Sequence, residues 1–172
     1  MNILDEKDRM IEKLTWREKF AAIMLIMIGF VYAAIQVMNI ASSRAGGYSA
    51  NESAIIINRG ELLSDFKTYA IIFFSIIAGL FLIRQKRLGW ILGIPVLLLF
   101  AFLSAAGLFI YVSATIFDNT FILLLIAFVV LASSVIFLLL PSARKKYKVG
   151  KYTYLPTLVF LMAICGLYFF LE

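Results

Sequence analysis

Carboxylates and guanidinium groups close together in sequence are the natural place to look for chemistry, and this chain concentrates them in one segment. Residues 41–67 carry Arg44, Glu52, Arg59, Glu61, Asp65 and Lys67, three charges of each sign. Glu52, Glu61 and Asp65 are the residue types that act as a general acid–base pair or bind a divalent cation, which needs several oxygen ligands. Their spacing matches no EF-hand or other ligand pattern, and loop ion pairs or plain solvation are the simpler reading. Asn51-Glu52-Ser53 also fits the glycosylation acceptor pattern. The chain has no histidine and a single cysteine, Cys165. That removes the usual haem ligand, the commonest zinc ligand, the commonest general base and any intramolecular disulfide. No cofactor and no metal is expected, and the balance leans away from an enzyme.

Outside that segment, polar groups are sparse. Gln36 and Asn39 stand near the end of an apolar run, where they can bind a ligand or an ion, although hydrogen bonding between helices is the commoner use. Ser75 with Gly79, and Gly89 with Gly93, recur at a spacing of four. Small residues at that interval let helix backbones approach, so these four are candidates for helix packing. No apolar run carries Asp, Glu, Lys or Arg in its middle, whereas pumps and transporters commonly place an ionisable group there.

The elements that must position these residues are helices in a bilayer. Hydrophobic residues make up 63% of the 172-residue chain, against about 45–50% in ordinary globular domains, too much apolar surface for a soluble fold of this size to hide. Five spans are expected, at about 20–40, 66–83, 88–116, 121–140 and 154–171, forming one all-α transmembrane bundle over 20–172. The first apolar run is preceded by ten charges and reads as a span rather than a cleavable signal peptide. Residues 1–19 place Ile3, Leu4, Met10, Ile11 and Leu14 at helical intervals, which predicts an amphipathic helix on the membrane surface or a solvated helix end. Thr15-Trp16-Arg17-Glu18 has the pattern of a capping box and predicts a helix start near Thr15. Ser64 or Asp65 is the expected cap of the second span and Asn119 or Thr120 that of the fourth. The third run, 29 residues without a charge, is too long for one upright crossing and too short for two. It reads as one tilted or bent helix, since a re-entrant pair would expose turn backbone to lipid. Pro156 is expected in the first turn of the fifth span.

Basic residues orient the bundle. Thirteen of the sixteen fall at 1–19, 84–87 and 144–151, and three, Arg44, Arg59 and Lys67, in the 41–67 segment. The positive-inside rule then predicts a cytoplasmic N-terminus, an extracytoplasmic 41–67 loop and an extracytoplasmic C-terminus. Arg84, Lys86, Arg87, Arg144, Lys145, Lys146 and Lys148 are expected to meet anionic lipid headgroups. A nucleic acid is a poorer fit to the 144–148 cluster, because aromatic interleaving amounts to Tyr147 and Tyr152.

These features lead to an expected multi-pass protein of a bacterial inner membrane, without enzymatic activity. It would act as a subunit or accessory of a membrane complex, assembling with itself or with other membrane subunits. Two rival readings belong to other classes. One is a small oligomeric channel or membrane-permeabilising effector, and the other is a membrane enzyme or lipid-binding protein with its site on the 41–67 loop.

Overall fold

The structure is a computed structural model that describes residues 14–45, 59–115 and 117–169; the side chains of 43–45 and 59–65 lie outside that description. Its elements are α1 (Trp16–Ala45), α2 (Arg59–Ile83), α3 (Arg87–Ser113), α4 (Asn119–Leu139), the short α5 (Pro141–Lys146) and α6 (Lys151–Phe169). No strand occurs among the described residues. All but α5 are long and apolar enough to cross a membrane. Residues 1–13 of the expected amphipathic segment and the Asn51-Glu52-Ser53 triplet fall outside the described residues.

The helix ends follow from local hydrogen bonding, with three departures from expectation. Thr15 opens α1 by donating its backbone N–H to Glu18 Oε2 at 3.0 Å, one arm of a capping box. At α2 the helix already begins at Arg59, so Ser64 and Asp65 lie inside it rather than at its cap. Once a helix is nucleated, each further residue adds a backbone bond, and a capping side chain part-way along does not interrupt it. At α4 the cap is Asp118, one residue earlier than expected, whose Oδ1 accepts from the N–H groups of Thr120 and Phe121. A carboxylate there satisfies two end donors and suits the positive end of the helix dipole. Finally, α6 starts at Lys151, which puts Pro156 beyond the first turn and deprives the Tyr152 carbonyl of its usual intrahelical donor.

Two turns close with residues in the left-handed region. Gln85 has φ 54°, and Gln85 N donates to Leu82 O while Lys86 N donates to Phe81 O. Lys148, with φ 52°, repeats the pattern: Lys148 N donates to Lys145 O and Val149 N to Arg144 O. Both are Schellman closures, which satisfy the last carbonyls of α2 and α5. The basic 84–87 segment is therefore a closed turn, and 144–148 is the end of α5 with its closing turn.

Helix α3 is the hub, packing against α1, α2, α4 and α6. It runs unbroken through Pro95, a single helix as expected for the long third run. Helices α1 and α2 lie antiparallel and close. A Cβ on Gly79 would come 2.6 Å from Ile26 Cγ1 and 2.9 Å from Ala22 O. Gly89 is tighter still, since its missing Cβ would lie 2.4 Å from Leu82 N and 2.6 Å from Phe81 C. The core gathers toward this end, with Ala21, Ala22, Leu25, Ala78, Leu82, Trp90, Leu97 and Leu138 almost fully buried.

Gly89→Ala should therefore lower stability by about 1–3 kcal/mol, because the contact is backbone that cannot rotate away. Gly166, whose Cβ would meet nothing within 4 Å, is the counter-case. Gly166→Ala should be neutral or stabilising by up to about 1 kcal/mol. Thermal unfolding of both variants in detergent micelles checks the pair.

Candidate functional site

Glu18, Arg87, Trp90, Arg144, Lys146, Tyr147, Thr153 and Tyr154 come together where α1 begins, α2 meets α3, and α4 passes through α5 to α6. Lys146 Nζ lies 2.9 Å from Glu18 Oε2, and the two side chains are 5% and 3% exposed. The same carboxylate oxygen caps Thr15, so one buried charge serves both the start of α1 and the 141–150 segment. Tyr147 donates its hydroxyl to the Leu82 carbonyl at 3.1 Å, and Trp90 Nε1 donates to the Leu138 carbonyl at 2.9 Å. Leu138 O lies at the end of α4, where intrahelical donors run out, and Leu82 O takes the Tyr147 hydroxyl on its second lone pair beside the Gln85 N–H. Burial pushes the Tyr147 phenol well above the ordinary tyrosine value, and the nearby Glu18 charge adds to the shift.

A second group fixes the start of α6. Gly150 N donates to Thr153 Oγ1 at 3.1 Å, and Arg87 Nη2 donates to the same oxygen. Arg144 Nη1 donates to Tyr154 Oη at 3.1 Å, while its Nε is buried and finds no acceptor among the described residues. Trp90 meets the Tyr154 ring edge-on with centroids 5.7 Å apart. Two guanidinium groups are thus held against the first turn of α6, one residue apart, with exposed Lys151 beside them.

The residues singled out from sequence scatter across the fold. Gly79 sits in the α1–α2 contact, and Gly93 would place a Cβ 2.9 Å from Leu25 Cδ1. Ser75 is fully buried, and its hydroxyl has no hydrogen-bond partner among the described residues. Gln36 is buried on α1 and Asn39 is exposed. Arg44, Arg59, Glu61 and Asp65 have helical backbone, but their side chains lie outside the described residues. Among the seven basic residues assigned to headgroups, Arg84, Lys86, Arg87, Lys145 and Lys148 are exposed. Lys146 is instead turned inward onto Glu18. Glu18, Trp90, Tyr147 and Thr153 form the centre of the cluster without having been singled out as site residues. The only sequence signal for any of them was the capping box at Glu18.

Two of the hollows in the structure border α6. A cavity of about 140 Å³ lies between α2, α3 and α6, walled by Phe74, Phe100, Phe160 and Tyr168 among others. A groove of about 460 Å³ runs between α3 and α6 from Lys151 and Tyr154 to Leu161. Among the described residues no group of three or more His, Cys, Asp or Glu comes together to hold a metal ion.

Removing one member of the ion pair should be costly. Glu18→Gln or Lys146→Met alone is expected to lose about 3–5 kcal/mol by stranding a buried charge, while the double variant recovers most of the loss. Chemical or thermal unfolding of the three variants tests this. The raised Tyr147 phenol predicts a further loss at alkaline pH. The folded state keeps the proton while an unfolded chain releases it near pH 10, so stability falls as pH rises past about 10. Tyr147→Phe should remove that alkaline limb while losing about 1 kcal/mol at neutral pH. No protein-family model, curated protein or solved structure matches this chain.

Proposed function

We propose that this chain is a non-enzymatic multi-pass membrane protein, its basic end in the cytoplasm, that works as a subunit or accessory of a membrane complex by helix–helix assembly. Five helices of membrane-spanning length and composition are compatible with an integral membrane protein. One observation carries the reading further: large apolar side chains are exposed along every long helix. Phe30, Phe73, Phe102, Phe109, Leu123 and Met162 are all more than half exposed, and only lipid or another apolar helix removes such surface from water.

Assembly is supported by how unevenly the helices are used. In α3, 44% of the spanning stretch is buried inside the chain, against 17% in α4 and in α6. Helices α4 and α6 therefore bury fewer of their residues inside the chain than α3 does. Apart from Lys67, at the start of the spanning stretch of α2, the described Asp, Glu, Lys and Arg side chains lie near helix ends or in turns, and among them the Glu18–Lys146 pair and the Asp118 cap tie the fold together. This economy of polar groups fits a protein whose work is contact rather than catalysis.

Orientation and assembly have separate tests. With Cys165→Ala as background, a cysteine placed at Asp118 should react with a membrane-impermeant maleimide added to intact cells, and one placed at Lys148 should react only after permeabilisation. The reverse pattern would invert the bundle. For assembly, cross-linking in the native membrane followed by mild detergent extraction should recover a species larger than the monomer. A monomer that captures no second chain would sink the subunit reading.

A further inference from the structure

We propose that the α3–α6 groove seats one anionic phospholipid, with its phosphate at Lys151 and an acyl chain along Leu98, Leu155, Leu158 and Leu161. The inference rests on the spanning reading above and adds a defined lipid site to it. The groove is apolar along its length and polar at its mouth, where Lys151 and Tyr154 line it. From Lys151 to Leu161 a helix rises about 15 Å, half of the roughly 30 Å hydrocarbon core. One acyl chain of one leaflet covers that depth.

Charge selects the headgroup. Lys151 is exposed at the mouth, Arg144 is fixed on the Tyr154 hydroxyl, and Arg87 is fixed on Thr153. Three cations therefore stand around the first turn of α6. Glu18 is the one carboxylate described at this end, and Lys146 neutralises it. A phosphate arriving at Lys151 meets uncompensated positive charge, and the helix N-terminus adds to the attraction. A free phosphate would satisfy the cations but leave Leu155 and Leu158, 69% and 55% exposed, uncovered. The cavity walled by Phe74 and Phe160 has no cation among its lining residues and cannot make this selection.

Native mass spectrometry of the detergent-purified chain tests the site, with phosphatidylglycerol, phosphatidylcholine and soluble glycerol phosphate as probes. Phosphatidylglycerol should bind about fivefold more tightly than phosphatidylcholine, and Lys151→Gln should abolish that preference. Leu158→Trp, which fills the groove from an exposed position, should weaken both lipids. Lys19→Gln, exposed at the same end but outside the groove, should leave the preference intact, and glycerol phosphate should not compete. Equal binding of the two lipids would overturn the site, as would equal losses in Lys19→Gln and Lys151→Gln. A chain that fails to partition with membranes overturns the spanning reading and this site together, whereas a membrane-bound chain without headgroup preference overturns the site alone.

Discussion

Helices α2 and α3 meet backbone to backbone at Gly89, and the remaining elements are tied to that corner. The absent Cβ lets Gly89 approach Leu82 and Phe81 more closely than any side chain would allow. The Schellman closure at Gln85 turns the chain sharply enough to bring them together. From the same corner, Leu82 offers its carbonyl to Tyr147, Trp90 reaches the Leu138 carbonyl, and Arg87 reaches Thr153. One hairpin thus holds the end of α4, the close of α5 and the start of α6. Carbonyls in the last turn of a helix run short of intrahelical donors, and each carbonyl has two lone pairs, so Leu82 O can take the Tyr147 hydroxyl beside the Gln85 N–H.

The ion pair between Glu18 and Lys146 completes the arrangement by bringing α1 to the same place. A buried pair adds little net stability over well-packed apolar residues, but a mispaired charge is penalised heavily. Its value is selectivity: the chain cannot pack with α1 displaced along its axis without stranding a charge. In a bundle of nearly uniform apolar helices, van der Waals packing alone distinguishes poorly between sliding registers. The few polar contacts therefore have an influence out of proportion to their number.

The bundle is consequently asymmetric. At the basic end, turns, caps and cross-links tie the helices together, and the tightly buried residues Ala21, Leu82, Trp90, Leu138 and Tyr147 collect there. Away from it, the helices separate enough to leave the cavity beside Phe74 and Phe160. Helix α6, which packs chiefly on α3, is bordered by both the cavity and the groove. Surfaces of this kind suit contact with lipid chains or with other helices, and the ordered end supplies a fixed reference against which such contacts can be made.

Hydropathy and charge alone sufficed for the five long helices, since a run of apolar residues bounded by charges has few alternatives in a chain this hydrophobic. Local motifs also declared themselves, as at Thr15 and Glu18, because a capping box is complete within four residues. What remained hidden depends on residues far apart in sequence. That Glu18 meets Lys146, that Tyr147 reaches Leu82, and that Trp90 serves Leu138 could not be read from periodicity, because an apolar helix in lipid has no polar face to show which side turns inward. The same ambiguity kept Lys146 among the outward-facing cations until packing turned it inward. Sequence determined that helices form and roughly where they end. Only the tertiary structure decided which faces meet, because in this chain partner choice rests on small residues and on a handful of long-range hydrogen bonds.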